Sequence, residues 1–264
     1  MAVILGIYKE LISAIRSFDS LWIKSIVFLD TKSMTSRPHF SFLLPLFFGI
    51  GIALIFFTRV IKLPELLYLY PEQINGLFFG LILGSIIILL RDTPAIKTGD
   101  VFILIAGVIF GLLVFNSVPM ETPNTSWFVF LSGTLAICAM ILPGISGSFV
   151  LLVLNKYTYI FNAIGYFDFS ILTPFFLGAA TGLVIFSRLL SYLLETHYRS
   201  TVLYIIGLLV ASLWVIWPFQ VREYEIIDQS TRLISSTPVF PNELTASFSL
   251  SLLMVATGLF VVIY

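Results

Sequence analysis

Apolar residues in this chain come in long unbroken blocks rather than at the spacing of a half-buried helix or strand. A hydrocarbon core about 30 Å thick asks for roughly 20 apolar residues per helix. Runs of that kind stand at 41–58, 74–90, 100–116, 171–193, 201–218 and 246–264, and they predict six spanning helices. Two further apolar stretches, 127–142 and 146–164, are separated only by Pro143, Gly144 and Ile145, with Ser146 and Ser148 just beyond. Two full spans fit the lengths. A re-entrant pair of half-helices fits the tight joint better, because broken backbone at membrane depth is tolerated where protein or a polar cavity surrounds it. The segments 19–40 and 219–245 carry the proline and charge of solvated loops. The first residues lack a basic leader and a small-residue cleavage site, and do not read as a signal peptide.

The blocks repeat. PLFFGIGIALIFFTR, from Pro45 to Arg59, aligns without a gap on PFFLGAATGLVIFSR, from Pro174 to Arg188, and places Gly49 on Gly178, Thr58 on Ser187 and Arg59 on Arg188. FFGLILGSI continues onto YIIGLLVASL after a small adjustment, and upstream Tyr8, Ala14, Ile15, Phe18 and Asp19 fall on Tyr157, Ala163, Ile164, Phe167 and Asp168. The reading is a single membrane domain of two repeats, 1–126 and 127–264. Each repeat holds three spans and a hairpin, an odd number of crossings however the hairpin is counted, so consecutive repeats are expected to sit upside down relative to each other. Inverted repeats with a site at broken helices mark transporters. The counterpart of 143–148 falls before Met1 in this register, so the first half is expected to lack its own hairpin.

With 59% hydrophobic and 11% charged residues, against about 25% charged in soluble domains, the composition excludes a water-soluble fold. The fold class is therefore all-α, a polytopic integral membrane protein. Trp22, Trp127, Trp214 and Trp217 lie where apolar runs end, as interfacial rings do. Formal net charge is zero and no dense basic run occurs, so nothing points to nucleic acid. One cysteine, Cys138, permits no intrachain disulfide. Loops holding Lys24, Lys32, Arg37, Arg91, Lys97 and Arg199 share one side, against Arg59, Lys62, Arg222 and Arg232, which orients the C-terminus to the cytoplasm.

The candidate chemistry is sparse. Pro143, Gly144, Ile145, Ser146, Gly147 and Ser148 have the parts of an anion cradle: glycines that admit a ligand to the backbone, and hydroxyls at the opening of a helix. Serines that merely cap the next helix are the alternative. Arg59 and Arg188 recur at one repeat position, where each either snorkels to the interface or grips phosphate through its planar fork. Tyr8 and Tyr157 form a matched pair that either bonds across a pseudo-symmetric centre or finds local partners. Lys156 reads first as an interfacial charge and second as a substrate contact. Asp100 reads first as a helix cap, with a proton relay as its competitor. His39 and His197 have no ligand at metal spacing and no Walker loop occurs, so neither a metal nor another cofactor is expected.

MILPGISGSFVLLVLNKYTYIFNAI, with GLVIFSRLLSYLL and its counterpart IALIFFTR, resembles the polyprenyl-phosphate transporter family, the PopT-type undecaprenyl phosphate translocases, across essentially the whole chain. Members of that family typically carry a first PG-x-SGG hairpin near the N-terminus and a second PG-x-SG hairpin past the middle, and only the second stands here. Asn155 and Thr158 also depart from the family's usual glycine and acid around the tyrosine. The resemblance implies a multi-pass protein of the inner (plasma) membrane that returns undecaprenyl phosphate to the cytoplasmic leaflet for cell-wall precursor synthesis. Its implied partners are the polyprenyl phosphate and the surrounding membrane lipids, and the sequence leaves a homo-oligomer open. The alternative is a polyprenyl pyrophosphate phosphatase, which would want an acid or base beside a phosphate-clamping arginine. PGISGS holds neither, and the reading is of a transporter that is not an enzyme.

Overall fold

The computed structural model describes residues 39–93, 98–117, 119–227, 230–240 and 246–264, together with Glu10 and Ala14. All six expected spans are helical. The first, α1 (Phe40–Ile55), ends in a π-helical turn, Phe56–Val60, and is followed by the short α2 (Leu63–Leu69), α3 (Pro71–Asp92) and α4 (Thr98–Phe115). Next come α5 (Ser126–Ile141), α6 (Gly147–Val153), α7 (Tyr157–Gly165), α8 (Phe169–Thr196), α9 (Tyr198–Val215) and α10 (Ala246–Ile263). Among the described residues, Phe40–Val60, Pro71–Asp92, Phe169–Thr196 and Tyr198–Val215 are long and apolar enough to cross a bilayer, while Gly99–Phe115, Ser126–Ile141 and Ser247–Ile263 are apolar but shorter.

Two expectations are corrected. The run 146–164 is not one helix: α6 stops at Val153, Asn155 takes a left-handed backbone with φ 51, and α7 begins at Tyr157. Asparagine accepts that conformation more readily than most side chains, so the break falls where the sequence offers one. The stretch 219–245 is not featureless loop. It contains an antiparallel hairpin, β1 (Gln220–Ile227) with β2 (Ser230–Pro238), whose register shifts by a bulge between Glu223 and Tyr224.

The chain divides into two compact units, Met1–Ile50 with Ile96–Leu208, and Gly51–Ala95 with Leu209–Tyr264. In lipid, helices gain no hydrophobic drive toward each other, so close packing rests on small residues that bring backbones together. In the first unit α5 and α8 run parallel. A Cβ on Gly178 would fall 1.9 Å from the Phe130 carbonyl oxygen, one on Gly133 2.2 Å from that of Phe175, and one on Gly182 2.7 Å from that of Thr134. In the same unit α4 lies parallel to α9, where a Cβ added at Gly107 would collide with the Tyr204 carbonyl oxygen and one at Gly207 with that of Leu104.

In the second unit α3 lies parallel to α10. A Cβ added at Gly80 would collide with the Val255 carbonyl oxygen, and one at Gly258 with that of Leu77. At the start of that pair Gln73 Nε2 donates to Ser247 Oγ (3.1 Å), and the Ser247 hydroxyl donates to the Glu72 carboxylate. Four serines buried at the helix faces are satisfied by their own backbone: Ser132 donates to Phe128 O, Ser187 to Val184 O, Ser85 to Leu81 O and Ser212 to Leu209 O, whereas the buried Ser251 hydroxyl on α10 has no partner among the described residues. Each of the four places a hydroxyl in an apolar contact without orphaning it.

Candidate functional site: the PGISGS turn

The break at 142–146 follows from its residues. Proline offers no N–H and disfavours a helical residue before it, and Leu142 accordingly leaves the helix with an extended backbone. Gly144 then turns the chain at φ 94, a conformation that a side chain resists. The returning α6 starts against α5 so closely that a Cβ on Gly147 would lie 2.6 Å from the Met140 Cγ and 2.7 Å from the Ala136 carbonyl oxygen. Only glycine closes the hairpin there.

Ile145 is buried and packs with Ala139 and Leu208, while Ser146 and Ser148 are exposed with their hydroxyl oxygens 2.6 Å apart. Ser146 occupies the N-cap of α6, yet its hydroxyl makes no capping bond. The bland reading, serines spent on capping, is thus not what the geometry holds. The two hydroxyls instead form a small exposed polar pair beside an apolar isoleucine.

The outer ends of the α5–α6 hairpin are tied to each other by the segment that precedes α5. Met120 N–H donates to Val153 O (2.9 Å), and the Thr122 hydroxyl donates to Leu154 O. Lys156, only 1% exposed, donates to Thr122 O (2.9 Å) and Asn124 Oδ1 (2.6 Å), with the rings of Phe128 and Tyr159 each 5.6 Å from its ammonium. The expectation of an interfacial charge at Lys156 is corrected. The ammonium is buried and donates two hydrogen bonds, and it fastens the α6–α7 break to the segment before α5. The sequence signal was the TPNTS cluster at 122–126, whose carbonyl and amide groups suit a buried cation but name no partner.

Arg188 stands on α8 near Leu190, which packs on Ile141. Because α5 and α8 run parallel, Arg188 is level with the end of α5, where the turn begins. Its side chain is exposed, and no hydrogen bond joins it to the turn among the described residues. Tyr157 opens α7, partly exposed, and stacks on Phe161 with ring centroids 5.9 Å apart. Arg59 belongs to the second unit, where it is exposed on the π-helical turn beside Thr58, whose hydroxyl donates to Leu54 O (2.6 Å). Tyr8 lies outside the described residues, as does Trp22. Asp100 lies in the first turn of α4, where its carboxylate takes the Arg199 guanidinium and joins the starts of α4 and α9. The sequence places these charges 99 residues apart, and only helix packing brings them together. Among the described residues no three acids, histidines or cysteines gather as metal ligands.

The architecture defines a multi-pass helical membrane protein with a broken-helix turn that exposes hydroxyls. A family model described as "VCA0040-like: Undecaprenyl phosphate translocase-like" matches residues 1–234, and the chain belongs to that family. It is 36% identical over 220 residues to a protein of Vibrio cholerae serotype O1 named polyprenyl-phosphate transporter, covering 83% of this chain and 71% of that one. It is 30% identical over 202 residues to a Staphylococcus aureus protein of the same name, covering 69% of this chain and 70% of that one. No solved structure matches it significantly. The resemblance read from the PGISGS segment is therefore borne out at the level of family, with names that denote transporters rather than enzymes. The chain is a multi-pass membrane protein, in bacteria one of the inner membrane.

Proposed function

We propose that this chain carries undecaprenyl phosphate, or a polyprenyl phosphate like it, across the bilayer and returns the carrier to the cytoplasmic leaflet. The observation that carries the reading is the PGISGS turn. It presents two exposed hydroxyls 2.6 Å apart beside a glycine that lets a ligand approach the backbone. Hydroxyls donate to phosphate oxygens, and Arg188, level with the turn and exposed, supplies the counter-charge. Pro143, Gly144, Ile145, Gly147 and Tyr157 shape the approach, and Arg59 is the repeat counterpart of Arg188.

The α5–α6 hairpin is proposed to be re-entrant. Its support is the meeting of both outer ends at residues 120–124 through Met120, Thr122 and Lys156. The inverted repeat has independent support. In the first unit α4, the third span of one repeat, lies parallel to α9, the second span of the other; in the second unit α3 and α10 make the reciprocal pair. Consecutive spans joined by a short loop are expected to cross a bilayer in opposite directions. In the repeat register α9 is the counterpart of α3, and its parallel packing with α4 at Gly107 and Gly207 is the arrangement that inversion would produce.

Reconstitution tests the transport reading. Vesicles containing the protein are expected to move a fluorescent polyprenyl phosphate between leaflets, and Arg188→Ala or Gly144→Leu is expected to stop the movement. Undiminished movement in both variants defeats the site, whereas release of inorganic phosphate from undecaprenyl pyrophosphate by the purified protein would favour the phosphatase instead.

A further inference from the structure

Directly behind the turn, among α4, α5 and α6, lies a partly open cavity of about 280 Å³. Its walls include Leu135, Leu142, Ile145, Phe149, Val150 and Val153. Two of its lining residues, Ser117 and Cys138, carry a side-chain heteroatom, and the donor of each is directed elsewhere. The Ser117 hydroxyl donates to Leu113 O (2.8 Å), and the Cys138 thiol points to Gly182 O at 3.9 Å. The cavity therefore offers nothing to a charged or ester-bearing group, whose burial without a partner is costly.

We propose that this cavity holds the first isoprene units of a polyprenyl phosphate whose phosphate rests at Ser146 and Ser148. The inference rests on the transport reading and assigns the part of the site that recognises the tail. Ile145 is a wall of the cavity, and the next residue carries an exposed hydroxyl. The change from polar to apolar surface is thus made within one residue of the chain.

That abrupt boundary selects among lipids. In a polyprenyl phosphate the hydrocarbon begins at the carbon bonded to the phosphate ester oxygen. In a phospholipid, a glycerol and two ester carbonyls stand between phosphate and chain, and those oxygens would enter the cavity without a donor. Hydrophobic transfer does not favour entry, since the bilayer is as apolar as the cavity. Selection instead comes from packing of methyl branches against the Val, Leu and Ile walls and from exclusion of the glycerol esters.

The experiment uses the full chain in vesicles of phosphatidylethanolamine and phosphatidylglycerol, with a farnesyl phosphate that carries a photoactivatable diazirine on its first isoprene unit. Illumination is expected to place adducts within 135–154, with undecaprenyl phosphate competing them away and dioleoyl phosphatidic acid, a phosphate on a diacylglycerol, not doing so. Leu135→Trp, which fills the cavity from a lipid-exposed position, is expected to lower adduct yield there several-fold. Adducts spread over lipid-facing helices such as α1, equal competition by phosphatidic acid, or unchanged yield in Leu135→Trp each overturn the tail assignment. If those results appear while the vesicles still move polyprenyl phosphate, the tail inference fails alone. If no adduct forms and no movement occurs, the transport reading fails with it.

Discussion

Gly107 and Gly207 hold α4 and α9 at backbone contact: a Cβ added at Gly207 would stand 2.9 Å from the Gly107 Cα and 2.9 Å from the Val108 nitrogen. The second unit builds the same contact from Gly80 and Gly258, where a Cβ on Gly258 would stand 2.9 Å from the Leu81 nitrogen. Each glycine also sits on the carbonyl three residues before its partner, at Leu104, Tyr204, Val255 and Leu77.

Substitution at these crossings has nowhere to go, because the obstacle is backbone rather than the end of a side chain. Gly207→Val and Gly258→Val are each expected to lose about 1–3 kcal/mol, the usual range for overpacking. Gly49→Ala, with nothing within 4 Å of the added carbon, is expected to cost little. Thermal unfolding in detergent separates the two groups, and equal melting temperatures would remove the structural role given to the crossings.

Lys156 fastens the hairpin. Lys156→Met removes the donor to Thr122 O and Asn124 Oδ1, and a lost hydrogen bond to a charged group is worth about 1.5–3 kcal/mol. The variant is expected to melt lower and to be cleaved more readily by protease near 119–125. A variant as protease-resistant as the parent would mean that the ammonium does not hold that segment.

Asp100 and Arg199 are partly buried, with side chains 15% and 25% exposed. Asp100→Asn removes this ion pair. Full burial would make that loss about 3–5 kcal/mol, and the remaining solvent exposure reduces it here. The exchanged variant Asp100→Arg with Arg199→Asp is expected to recover part of the loss, measured as coupling in a double-mutant cycle.

At the start of α8, Asp168 caps the helix through Ser170, accepting from its backbone N–H (3.0 Å) and its hydroxyl (2.6 Å). The Ser170 hydroxyl, then the Ser170 N–H, pulls the carboxyl below its ordinary value. A lowered folded value means the carboxylate stabilises the fold above its unfolded value, about 3.9, and the benefit fades as pH falls through the lowered one. The melting difference between the parent and Asp168→Ala is expected to be flat above about pH 5, beyond the titration, and to shrink only in stronger acid.

Substitution of both turn hydroxyls, Ser146→Ala with Ser148→Ala, is expected to depress transport while leaving the melting temperature nearly unchanged. Both residues are exposed and neither caps α6. A fall in stability as large as the fall in transport would instead assign them a structural role.

The features legible along the chain follow from local physics. A block of apolar residues long enough for the hydrocarbon must be a helix, because lipid leaves no other partner for its backbone. Pro143 and Gly144 must break one, and the recurrence of Pro45 to Arg59 at Pro174 to Arg188 is a fact of order along the chain. What tertiary structure alone decided was every pairing between distant segments. The sequence could not say that Lys156 meets Thr122 and Asn124, that Asp100 meets Arg199, or that Ile145 walls a cavity while Ser146 faces outward. Nor could it assign Gly107 to Gly207 when every long apolar helix carries small residues. Spanning is a property of one segment and its solvent, whereas a contact depends on which face two segments share, and apolar composition all round a membrane helix hides that face.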